Sequence, residues 1–196
     1  MECCGVKCDA KECFCPTSAK AHTHIGNHTR YTLRYTVNYT YDVDSITPVT
    51  VGTITAPDCA VSYNVYENNE RPERLESHEM VAPTDMEVVR ALGHQHVGAI
   101  NISMFVDDEF VCAAYPRYGS QLRDVEGEEE DAGYIVEISP CLDKDTTGSS
   151  ILIKKGSRIR ADSWYWVGSK DPRIFPFPGG THLNVMGYLH LVYVET

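Results

Sequence analysis

From Tyr31 to the C-terminus the chain is a succession of short runs in which apolar and polar residues alternate, and this pattern constrains the fold most. In YTLRYTVNYTY, Tyr31, Leu33, Tyr35, Val37 and Tyr39 share one face, and Thr32, Arg34, Thr36, Asn38 and Thr40 the other. Similar β-branched and aromatic runs cover 30–43, 49–55, 59–67, 86–93, 99–106, 109–116, 132–139, 150–154, 157–168 and 183–195. Turn residues separate them, at Asp107-Asp108, Gly127, Gly148, Lys155-Gly156 and Pro178-Gly179-Gly180. One helix-like stretch lies between Pro72 and Met80. Many short strands with little helix predict an all-β fold, an antiparallel β-sandwich of the jelly-roll kind spanning 30–196. A chain of 196 residues can bury about 70% of its unfolded surface, enough for a real core. Residues 1–29 show neither period and predict a separate, cysteine-rich tail.

The cysteines place the chain in a compartment. Cys3, Cys4, Cys8, Cys13, Cys15, Cys59, Cys112 and Cys141 make eight, five of them in the tail. Such a density predicts disulfides and an extracellular location. Five is odd, so full oxidation requires a tail cysteine to pair with the body or with another subunit. A thiolate metal cluster in CCGVKCDAKECFC is the rival, but it lacks the paired CxxC spacing of zinc sites. Three sequons point to the same compartment, at Asn27, Asn38 and Asn101. Strand parity turns Asn38 and Asn101 outward, with Ile100, Ile102, Met104 and Val106 turned in. MECCGVKCDA contains no apolar leader core, so a secreted form is expected to be a mature or trimmed one.

Charge excludes some partners. Lys plus Arg is 17 and Asp plus Glu is 28, a net charge of −11. Such a balance argues against nucleic acid, which needs a basic face. The longest apolar run, Phe110 to Tyr115, falls far short of the ~20 residues of a membrane-spanning helix. The acidic run Asp124 to Asp131 lacks the alternating ligand spacing of a calcium loop and reads as a solvated loop.

One constellation carries chemistry. Gly93-His94-Gln95-His96 ends one strand and begins another. Histidines at i and i+2 on a strand point the same way, about 7 Å apart, so both imidazoles can reach one metal. Met186 lies far along the chain in HLNVMG. Two imidazoles and a thioether suit copper better than zinc. The competing reading is two hydrogen-bonded strand histidines and a core methionine. The tail histidines His22, His24 and His28 have no scaffold to preorganise them as a second site. Trp164 and Trp166 share a strand face opposite Tyr165, a sugar platform if both are exposed and core packing otherwise. The chain has no GxSxG elbow, no phosphate-cradling glycine loop and no HExxH.

The blocks GHQHVGAINISMFVDDEFVCAAYPRYG, GYIVEISPC, IKKGSRIRADSWYWVGS and THLNVMGYLHLVYV resemble the stress-up-regulated nodulin family, over roughly 31–196 with the cysteine tail outside. That family in turn resembles the second catalytic domain of the copper- and ascorbate-dependent monooxygenases. By that resemblance His94, His96 and Met186 would be copper ligands, and Cys112 and Cys141 a disulfide within the sandwich. Those enzymes use two copper modules in tandem domains, whereas this chain has room for one. The expectation is therefore of a secreted, N-glycosylated structural or interaction protein rather than an enzyme. It would self-associate through its tail and the run from Tyr31, as a homo-oligomer or filament. The alternative is an extracellular copper-binding protein or a single-domain remnant of a copper monooxygenase.

Overall fold

The computed structural model describes residues 33–58, 60–119, 134–168 and 182–196. Among these, thirteen strands and one short helix follow in the order β1 Thr50–Thr55, β2 Tyr63–Tyr66, β3 Glu73–Val81, β4 Met86–Gln95, β5 Ala99–Val106, β6 Glu109–Ala114, β7 Pro116–Tyr118, β8 Ile135–Ile138, β9 Pro140–Asp143, α1 Lys144–Thr147, β10 Ile151–Ile153, β11 Arg158–Trp166, β12 His182–Val185 and β13 Gly187–Glu195. The fold is all-β, as the alternation implies. The chain divides into two compact units, Met1–Ile46 and Thr47–Thr196.

The second unit is an antiparallel sandwich. One sheet runs β1-β13-β4-β10, with β9 also on β4, and the other runs β3-β11-β5-β6. Small two-stranded sheets, β12-β2 and β7-β8, complete it. The first sheet sends Ile54, Met86, Val88, Ala91, Leu189 and Leu191 into the core, where they meet Ile102, Met104, Ile159 and Ala161 of the second. Gly93 lies on the inner face of β4, where an added Cβ would stand 2.6 Å from Ile102 Cγ2 and 2.9 Å from Ala114 Cβ. The hairpin between β5 and β6 turns on Asp107 and Asp108, at φ 50° and 69°, conformations that Asp tolerates better than most residues.

Cys112 and Cys141 form a disulfide with a Cα–Cα distance of 5.2 Å, and it ties β6 to β9. Ile102 and Met104 are buried, and Asn101 lies on the opposite face of β5, half-buried, as its parity requires. Cys3, Cys4, Cys8, Cys13, Cys15, Cys59, Asn27, the tail histidines and the run Asp124 to Asp131 lie outside the described residues.

Two expectations are corrected. The helix-like stretch Pro72 to Met80 is largely strand, because β3 pairs along its full length with β11, from Glu73↔Trp166 to Val81↔Arg158. Pairing overrides a local composition poor in β-branched residues. Conversely, the described part of the expected strand 30–43 joins no sheet, and Val43–Ser45 forms a single 3-10 turn. Alternation records a preference for a half-buried strand, and a strand forms only where an edge is there to accept it.

Candidate functional site

The candidate site lies on the outer face of the first sheet. Along β4, Ala91 and Gln95 are buried while Leu92 and His94 are exposed. Along β13, Gly187, Leu189 and Leu191 are buried and Tyr188 and His190 look out. The two strands are antiparallel, with Tyr188 opposite His94 and Gly187 opposite Gln95. His96 and Met186 are the next residues beyond that last pair. Of the three residues singled out from sequence, His94 thus stands at the end of the β4–β13 ladder, with His96 and Met186 on the chain just past it.

The ring geometry is close. The His94 and His96 rings meet edge-on with centroids 5.6 Å apart. His94 stacks on Tyr188, also at 5.6 Å, and Tyr188 meets the His190 ring at 5.9 Å. The Tyr188 hydroxyl donates to the Val61 carbonyl. The His96 Nδ1 lies 3.3 Å from the Asn184 carbonyl. A carbonyl only accepts, so this bond puts the proton on Nδ1 and leaves the Nε2 lone pair bare. An imidazole that donates one nitrogen to a carbonyl and offers the other is the usual form of a metal-binding histidine. His190 is held differently, its Nδ1 2.9 Å from Thr53 Oγ1.

Electrostatics favour neutral rings at His94 and His190. Burial lowers the His94 pKa first, and the neighbouring His96 and His190 lower it further. Burial likewise lowers that of His190. An uncharged imidazole is the form that binds metals. Among the described residues no three His, Cys, Asp or Glu side chains form a group able to hold a metal. Two imidazoles with the Met186 thioether would be the donor set that the resemblance implies. That donor set fits a soft ion, copper(I) above all, and does not fit zinc or calcium.

Beneath the face lies a buried polar layer that the sequence did not reveal. Gln95 Nε2 donates to the Asn101 carbonyl at 3.0 Å and to Ser163 Oγ at 2.9 Å. Tyr165, fully buried, accepts the His96 backbone N–H at 2.8 Å and donates to the Met186 carbonyl. Parity had turned Tyr165 away from Trp164 and Trp166, and it does face inward, but nothing in the spacing linked it to His96. Trp164 and Trp166 are each half-buried, so they do not offer the open pair of rings that a sugar platform needs.

Fold and site together define a disulfide-stapled, all-β sandwich protein with a pair of histidine rings at one end of a sheet face. The chain belongs to the stress up-regulated Nod 19 family, whose model matches residues 1–172. The match takes in the cysteine-rich segment, which the resemblance had left outside, and it ends before β12, so His94 and His96 fall within it and Met186 beyond it. No curated protein matches the chain.

Proposed function

We propose that this chain is an extracellular copper-binding β-sandwich module, with His94, His96 and Met186 as ligands, that holds the ion rather than catalysing a reaction with it. The observation that carries this reading is the pair of imidazoles 5.6 Å apart at the end of the β4–β13 ladder, and the closeness of the Met186 backbone, which shares the Tyr165 hydroxyl with His96, supports it. The Cys112–Cys141 disulfide supports an oxidising compartment. So do the sequons, with Asn38 exposed and Asn101 on an outer sheet face. Copper titration of the secreted protein under reducing conditions tests the reading. One equivalent of copper(I) should bind at micromolar free metal, and His94→Ala with His96→Ala should abolish uptake. A folded wild-type sample that takes up no copper overturns it.

A second reading, compatible with the first, is self-association. It is favoured by the segment before β1. Leu33, Tyr35, Val37, Tyr39, Tyr41 and Val43 keep their alternation yet are all exposed, from 66% at Val37 to 90% at Tyr41. An alternating run without a sheet is suited to pairing with a sheet edge of a second copy, and open head-to-tail pairing would build a filament. Negative-stain imaging and light scattering of the non-reduced protein test this. Fibres or oligomers should be lost when Tyr35, Val37 and Tyr39 are all changed to Lys. Uniform single chains in the wild type overturn it.

A further inference from the structure

We infer that Tyr165 is the positioning residue of this site, a buried phenol that clamps the backbone bearing His96 to the backbone bearing Met186. The inference rests on the copper reading above and assigns a role to a residue that contributes no ligand atom.

The argument starts where the ladder stops. Pairing between β4 and β13 ends at Gln95↔Gly187. His96 is the first residue beyond β4, and Met186 occupies the break between β12 and β13. The two outer ligands therefore stand just past the last rung, where no strand pairing fixes their separation. The Tyr165 oxygen takes over that role. It accepts the His96 N–H at 2.8 Å and donates its own hydrogen to the Met186 carbonyl. One hydroxyl thus satisfies one backbone group from each ligand-bearing segment, as a rung would.

The clamp is itself held rigidly. Tyr165 lies on β11, a central strand flanked by β3 and β5. The Tyr63 ring packs edge-on against it at 6.1 Å, and Val65, Ala99, Val167 and Val185 complete its buried surroundings. A metal site gains affinity when the backbone under its ligands is fixed before the ion arrives. Loss of the hydroxyl removes the link between the His96 and Met186 backbones, leaving the His96–Asn184 bond, and removes no donor atom.

Tyr165→Phe tests this, since it deletes one oxygen and keeps the ring. Copper(I) affinity is measured by competition with a chromophoric chelator, and the copper–sulfur distance by X-ray absorption. The wild type should show a sulfur neighbour. Tyr165→Phe should bind about 10- to 100-fold more weakly and lose the sulfur signal, while Met186→Ala loses that signal by removing the donor. Ser163→Ala disturbs the buried layer without touching the clamp and should keep the sulfur signal, which separates positioning from general loosening. Equal affinity and an unchanged sulfur signal in Tyr165→Phe overturn the inference and leave the copper reading standing. A wild type that binds no copper overturns both. Should Tyr165→Phe not fold, amide exchange at His96 in the wild type decides: slow exchange beyond the strand end supports the clamp, and exchange at the rate of an open loop overturns it.

Discussion

Cys112 and Cys141 join the two sheets of the sandwich, because β6 belongs to one and β9 pairs within the other. The bond closes a loop with a sequence separation of 29 residues. In the loop-entropy account, closure of that length is worth about 3–4 kcal/mol of stability. The double variant Cys112→Ser/Cys141→Ser should lose stability of that order in a denaturant titration. The wild type unfolded in reductant should fall on the variant's curve. If the midpoints of the double variant and of the reduced wild type match that of the oxidised wild type, the bond does not staple the sandwich.

Gly187 permits the close approach of β13 to β11 under the site. A Cβ built there would stand 2.5 Å from Ser163 Oγ, 2.8 Å from Ser163 Cβ and 3.1 Å from the Ala56 carbonyl. Ser163 is fully buried and bonded to Gln95, so it has no room to withdraw. Gly187→Ala should cost about 1–3 kcal/mol through overpacking. Gly52→Ala is the control, since its Cβ would meet only Tyr193 Cε1 at 3.5 Å, an ordinary contact. Thermal melts of the two variants should separate clearly. Equal melts would mean that β13 shifts to make room.

The sandwich was legible in the sequence because period-2 alternation depends on the local chain. Strand partners are non-local, and there the reading failed in both directions. β3 carries Glu73, Arg74, Glu76 and Glu79 and has no β-branched residue before Val81, a composition that looks helical. It is an edge strand, and charge on an edge deters unwanted pairing. The run 33–43 has the better strand composition and pairs with no strand among the described residues. His94 and His96 could be found as a pair because they stand two residues apart along the chain, at the end of β4 and just past it. Met186 was placed by resemblance, and the β4–β13 register ends one pair short of it, at Gln95↔Gly187. Tyr165 left no trace in the sequence, since its two partners are backbone atoms and backbone has no letter.

His190 should make stability depend on pH near neutrality. Burial disfavours its charged form, so its folded pKa lies below the ordinary 6.5. The unfolded chain therefore takes up the proton first as pH falls. Stability is full above about pH 6.5 and declines as pH drops through that value toward the folded pKa. The groups that face the ring are Thr53, Tyr188 and His94. His190→Gln should flatten the fall in denaturation midpoint between about pH 7 and about pH 5. Some slope should remain, because the His94 pKa is lowered as well. An unaltered slope would show that His190 protonates equally in both states.

Tyr63 gives the opposite dependence at the alkaline end. Its pKa is pushed from 10.0 up to about 12, chiefly by burial, and the Ser163 hydroxyl at 3.5 Å offsets only part of that rise. The folded chain then holds a proton that the unfolded chain has lost. Stability should be full below about pH 10 and fall as pH rises toward 12. Absorbance of the phenolate near the upper end should report Tyr63, together with Tyr165, whose pKa burial also raises, as ionising only as the protein unfolds. Tyr63→Phe removes that group, keeps the edge-on contact with Tyr165, and should lessen the alkaline loss of stability. If the variant loses stability as steeply as the wild type, Tyr63 ionises in place. The buried layer beneath His96 and Met186 would then be open to hydroxide, and the ring packed against Tyr165 would not be the dry support that the clamp requires.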